Sequence, residues 1–156
     1  MCRMCEGPGR FTGPRVNEVL ERIEEYGWCV QGVLGTDFRP PWAYTVGLTA
    51  EGLPELVITG LPPHLAAGAL NAAAAEALCT GPPVPGEPWW LPRSPRLEIV
   101  QLSAPAAHLS VAVSCYGTEI EARQLVYPDD AGRFPWSPRY NSGLGGQPVL
   151  GVRHDS

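Results

Sequence analysis

The chain has no lysine; all eleven of its basic residues are arginine. That absence removes Schiff-base chemistry on a lysine amine and any phosphate loop of the Walker type, which is built around a lysine. Histidine and methionine are scarce as well, at three and two residues. No apolar run approaches the roughly 18 residues that a membrane span requires. The most apolar helical stretch, residues 65–79, is Ala-rich and carries Asn71 and Glu76. The opening Met1-Cys2-Arg3-Met4-Cys5-Glu6 lacks the apolar centre of a secretory signal, so a cytoplasmic location and no lipid on Cys2 are expected. GxSxG, HExxH and GxGxxG are all missing, which leaves no signature of a serine hydrolase, a zinc protease or a dinucleotide fold. The arginines are scattered among 16 acidic residues, with a net charge of −5 and a pI near 5.1. A nucleic-acid backbone is therefore not an expected partner, and neither is a membrane.

What is present fits a globular chain. At 156 residues it has the length of one domain. A domain of that size buries roughly 70% of its unfolded surface and needs neither disulfide nor metal merely to fold. Gly and Pro occur 18 times each, but they fall between apolar runs, where they act as punctuation. An arginine-only basic set with a heavy load of Ala, Gly and Pro points to a GC-rich bacterial genome. The five cysteines, Cys2, Cys5, Cys29, Cys79 and Cys115, are read as thiols or ligands, since the cytoplasm keeps thiols reduced.

Residues 1–14 form a Cys- and Gly-rich lead. Val16, Val19, Leu20 and Ile23 then recur at helical spacing, with Gly27 as the stop. Strands are expected over 28–34, 42–48 and 55–59, the last two as a hairpin around Thr49-Ala50-Glu51-Gly52. A second helix opens at Gly60-Leu61-Pro62-Pro63 and runs to about Cys79. Residues 82–95 read as a Pro-rich loop bearing Trp89-Trp90, longer than most connections. A fourth strand covers 96–102. Residues 105–115 are ambiguous, with helix favoured, and a fifth strand covers 119–127. From Pro128 to Ser156 the chain reads as an irregular tail. The expectation is a single α+β domain, a mostly antiparallel sheet of about five strands with two to three helices.

Three blocks stand out together. They are Met1-Cys2-x-x-Cys5, then Pro41-Trp42-Ala43-Tyr44-Thr45-Val46-Gly47-Leu48 with Pro54-Glu55-Leu56, then Asp129-Asp130-Ala131-Gly132-Arg133-Phe134-Pro135-Trp136 with Gln147-Pro148-Val149-Leu150-Gly151. In that order and spacing the chain resembles the bacterial, largely actinobacterial, domain-of-unknown-function family DUF4262. The resemblance covers nearly the whole chain and implies a single domain. It transfers no activity and no catalytic residue. In that family the second cysteine is often followed by Asp-His-Pro; Glu6-Gly7-Pro8 stands here, without that histidine.

The reactive residue types are few. Cys2 and Cys5 at CxxC spacing can grip a soft metal ion such as zinc or form a redox pair, although one CxxC supplies only half a tetrahedral site. Loss of Met1 would add the α-amine of Cys2 as a further donor. Other ligands would come from His64, His108, Cys29, Cys79 or Cys115. The plain alternative is two thiols on a frayed terminus. His108 suits a metal ligand or a general base, against an ordinary structural histidine. His64 reads as a surface residue at a helix start, and His154 as inert. Asp129 and Asp130, with Arg133 close behind, offer a hard-cation site or acid–base chemistry, but Pro-Asp-Asp-x-Gly is also turn chemistry. Trp42, Tyr44, Trp89, Trp90 and Trp136 would make a flat apolar ligand wall if they converged, or else seal the core. Gly143-Leu144-Gly145-Gly146 lacks the following helix that phosphate binding uses.

Two functions remain open. One is a small-ligand or metal-binding domain with redox potential in its CxxC, whose centre would join Cys2, Cys5 and His108. The other is a non-catalytic interaction protein with a protein partner. Whether the chain is an enzyme is left undecided, and its oligomeric state is not legible.

Overall fold

The computed structural model describes residues 13–153. Helix α1 (Gly13–Tyr26) leads into strand β1 (Cys29–Val33), followed by β2 (Trp42–Val46), β3 (Glu55–Thr59), helix α2 (Pro63–Thr80), β4 (Pro88–Trp89), β5 (Leu97–Gln101), helices α3 (Pro105–His108) and α4 (Ser110–Tyr116), and β6 (Ala122–Val126). Short 3-10 turns occupy Leu48–Glu51 and Tyr140–Gly143. The fold is thus α+β, with one sheet of six strands in the order β1-β2-β3-β6-β5-β4. Pairing is antiparallel except for the central β3–β6 pair, which is parallel.

The strand missing from the sequence reading is β4. Its Pro88 cannot donate to a ladder, so a proline there reads as loop, yet an edge strand tolerates it. Pro88 and Trp89 pair with Glu98 and Leu97 on the outer edge of the sheet. The ambiguous stretch 105–115 is helical, but broken at Leu109 (φ −116, ψ 60), which separates α3 from α4.

All the strands but the edge strand β4 are largely buried on both faces. On one face α2 lies against Val30, Ala43, Leu56, Ile58, Ile99 and Leu125. Its contact residues are Leu70 and the alanines Ala66, Ala73, Ala74 and Ala77, whose small side chains let the helix lie against the sheet. On the other face α1, α3 and α4 cover the half of the sheet near β1 and β2. There Val19 packs with Cys29, Val33, Tyr44, Val46 and Leu109. The β5–β6 half of the same face is covered by the irregular C-terminal segment, through Phe134, Trp136 and Val149 on Val100 and Val126.

That segment is irregular because side chains take the place of a ladder in holding it. Gln124 donates to the Pro148 carbonyl (2.8 Å) and accepts from the Leu150 N–H (2.8 Å). Thr59 Oγ1 also donates to the Pro148 carbonyl, at 2.8 Å. Gln147 accepts from the Tyr127 N–H at 3.0 Å and donates to its carbonyl at 2.8 Å, as a neighbouring strand would. Gly60 (φ +82) permits the approach, because a Cβ there would run into the Gly146 carbonyl.

The topology gives the sheet two distinct ends. Val33, Trp42 and Thr59 share one end; Cys29, Val46 and Glu55 share the other. Only Gly27 and Trp28 connect α1 to β1, while Val19 and Ile23 pack on the sheet face. Helix α1 therefore doubles back over β1, and its first residues lie toward the Val33–Trp42 end.

Candidate functional site

At that end two of the candidate side chains, Trp42 and His108, meet with Arg39 beside them. The break at Leu109 releases the His108 carbonyl from helical bonding, and the Trp42 indole Nε1 donates to it at 2.9 Å. The His108 imidazole stands edge-on to the Trp42 ring, with centroids 6.2 Å apart. Neither imidazole nitrogen has a hydrogen-bond partner among the described residues. The Arg39 guanidinium lies over the same indole, 4.6 Å from its centroid. Partial burial, and then the charge of Arg39, hold the His108 pKa below its ordinary value. A neutral imidazole with free nitrogens is the form in which histidine binds metal or accepts a proton.

The arginine is set in place by the turn before it. Thr36 N–H donates to the Arg39 carbonyl at 2.7 Å, and Phe38 N–H to Thr36 Oγ1 at 3.1 Å. Pro40 and Pro41 then restrict the backbone on the far side. Phe38, at the apex of this turn, is 97% exposed.

Cys2, Cys5 and His154 lie outside the described residues. Of the described cysteines none joins His108. Cys29 is buried at the opposite end of the sheet, with its thiol directed at the Val30 carbonyl, 3.7 Å away. Cys79 is exposed at the end of α2, on the other face. Cys115 sits toward the end of α4, where burial and the nearby Glu55 push its thiol pKa up, the opposite of what a reactive thiol needs. Among the described residues no three His, Cys, Asp or Glu side chains converge in a way that could hold a metal.

The other candidates separate. Tyr44 is fully buried, and its hydroxyl accepts the Val111 N–H at 3.0 Å, anchoring the start of α4. Trp89 packs into the α2 side of the core at the far edge of the sheet, while neighbouring Trp90 is 56% exposed. Trp136 stacks on Phe134 with centroids 5.3 Å apart and carries Arg153 over its ring at 4.3 Å. The four candidate tryptophans thus stand in three separate places, and of them only Trp42 stands beside His108. His64 is exposed at the start of α2.

Asp129 works as a turn residue. Its Oδ1 accepts the N–H groups of Ala131 (2.9 Å) and Arg133 (2.8 Å), and its Oδ2 accepts that of Asn141 (2.8 Å). The N–H groups of Arg133 and Asn141 lower its pKa. The Arg133 guanidinium reaches the Arg139 carbonyl at 3.1 Å instead of closing a pair with the aspartates. Asp130 is exposed. Both aspartates line a shallow cleft of about 370 Å³ with Gly60, Tyr127, Asn141 and Gly146.

The most heavily bonded carboxylate escaped the sequence reading. Glu55 is fully buried and accepts from Thr45 Oγ1 (2.8 Å), Thr49 Oγ1 (2.6 Å) and the N–H groups of Gly47, Leu48 and Thr49 (3.2, 3.2 and 2.9 Å). It therefore closes the hairpin turn from inside. Gly47 (φ +133) is part of this arrangement, since a Cβ there would stand 2.7 Å from the Gly27 carbonyl. The signal was present as Thr-Val-Gly-Leu-Thr with Pro-Glu six residues on, but a glutamate opening an apolar strand carries no local mark of inward direction. Gln31, also fully buried, leaves its Oε1 without a partner among the described residues.

Fold and site together define an α+β domain whose signature blocks mainly fasten irregular segments to a single sheet, with one open histidine at the Trp42 end. The family model described as Domain of unknown function (DUF4262) matches residues 22–141, well over half of the chain, and the chain belongs to that family. No match was found among curated proteins or among solved structures.

Proposed function

We propose that this domain binds one soft transition-metal ion, such as zinc, through Cys2, Cys5 and His108, in a cytoplasmic setting that keeps the thiols reduced. The observation that carries the reading is the partly buried His108 imidazole, its nitrogens without a hydrogen-bond partner among the described residues, at the sheet end toward which α1 begins. Cys5 precedes Gly13 by eight residues, a stretch that reaches at most about 29 Å. Two thiolates and an imidazole are a ligand set suited to zinc, with a fourth position left for water or substrate. Trp42 then forms the apolar wall beside the metal. Asp130 is the carboxylate available for acid–base work, because Asp129 is engaged by three backbone N–H groups.

Metal analysis of protein purified without oxygen tests this. About one metal ion per chain is expected, and Cys2→Ser or Cys5→Ser should lose it. Metal-free protein that stays folded and takes up no zinc would contradict the reading.

A second reading, a protein-interaction domain, is favoured by the exposure of Phe38 (97%) and Trp90 (56%). Trp90→Ala is the clean test, since Trp89 packs into the core. Loss of a captured partner at unchanged melting temperature would support that surface, and full retention would reject it.

A further inference from the structure

We infer that Arg39, His108 and Trp42 form an anion-recognition corner that takes a small carboxylate-bearing ligand. This deepens the metal reading, because it names the kind of molecule that would fill the open coordination position.

The guanidinium carbon of Arg39 lies over the Trp42 indole, 4.6 Å from its centroid, and the guanidinium makes no ion pair among the described residues. In a chain of net charge −5, the described ion pairs are those of Arg96 and Arg153 with Glu98, on the opposite half of the sheet. Contact with the indole face holds the guanidinium beside the ring, and among the described residues no carboxylate pairs with its N–H groups. The turn bonds of Thr36 and the two prolines hold the backbone that carries it, so little ordering is left to be done on binding. The imidazole of His108, edge-on to the same indole and without a hydrogen-bond partner among the described residues, stands at this corner as a second donor or as the metal's ligand. A planar carboxylate matches the guanidinium fork with two parallel hydrogen bonds. Fully exposed Phe38, next to Arg39, offers an apolar surface to the body of such a ligand.

The test uses sodium benzoate as probe, with the Trp42 indole N–H resonance of the full-length protein as readout. Zinc-loaded wild type should show a saturable shift. Arg39→Gln should weaken it by about tenfold or more with zinc stoichiometry unchanged, and Arg39→Lys should restore part of it. Equal benzoate affinity in wild type and Arg39→Gln would overturn the corner, as would absence of any shift at Trp42. The same titration on metal-free protein separates the two proposals. A shift there that depends on Arg39 supports the corner even if zinc is not taken up. A shift that requires zinc and ignores Arg39 overturns the corner while leaving the metal centre standing.

Discussion

The Glu55 carboxylate is enclosed by five donors and no base. Burial pushes its pKa up, and the hydrogen bonds from Thr49 and Thr45 hold it back. Removing the carboxylate strands three backbone N–H groups inside the hairpin turn. Glu55→Ala should therefore cost about 3 kcal/mol in urea unfolding; a loss well below 1 kcal/mol would show that the turn does not depend on it. Asp129 works in the opposite sense. Its carboxyl sits below the ordinary value because the N–H groups of Arg133 and Asn141 bond its charged form. The stabilisation is present above about pH 4, the unfolded value, and fades as pH falls through the lower folded value. Asp129→Asn should thus melt lower than wild type at neutral pH, with the gap narrowing in acid. A gap that stays constant down to pH 2 would remove the carboxylate from the account.

At the scale of elements, the C-terminal segment behaves as a seventh, irregular neighbour of the sheet. It is fastened by amide side chains, with Gln124 and Gln147 in the role of ladder groups. Gln124→Ala leaves the Leu150 N–H without its acceptor and the Pro148 carbonyl with one donor fewer, which should cost about 2 kcal/mol. Hydrogen exchange should quicken over 147–151 before the strands respond, since a segment held by a few side-chain bonds opens at lower cost than the sheet. Uniform acceleration across the strands would mean that the segment is part of the cooperative core. The break between α3 and α4 has the complementary role. It costs a turn of helix and turns the His108 carbonyl toward Trp42, which sets the imidazole at the end of the sheet.

Across the whole molecule, what was legible in the sequence was whatever repeats along an element. Of Val16, Val19, Leu20 and Ile23, the spacing finds Val19 and Ile23 on the packed side of α1 while Leu20 stands 42% exposed, and the mostly apolar run from Glu55 to Thr59 marks a strand. What was hidden depends on contacts far apart in the chain. Nothing near Gln124 announces that it will bond residues 24 and 26 positions later, and nothing near Glu55 shows that its carboxylate turns inward. The aromatic residues could be counted but not located, because sheet order alone separates Trp42 from Trp89. His108 and Trp42, 66 residues apart, are candidates that the fold brings together.

In the proposed centre His108 shares a metal ion with the two N-terminal thiols. Cobalt(II) substitution tests it most directly, because thiolate-to-cobalt charge transfer reports sulfur ligands and the visible d–d bands report tetrahedral geometry and the remaining donors. The account predicts one cobalt per chain, thiolate bands that vanish in Cys5→Ser, and d–d bands that shift in His108→Ala while the thiolate bands persist. A cobalt spectrum identical in wild type and His108→Ala, or no thiolate band at all, would contradict it.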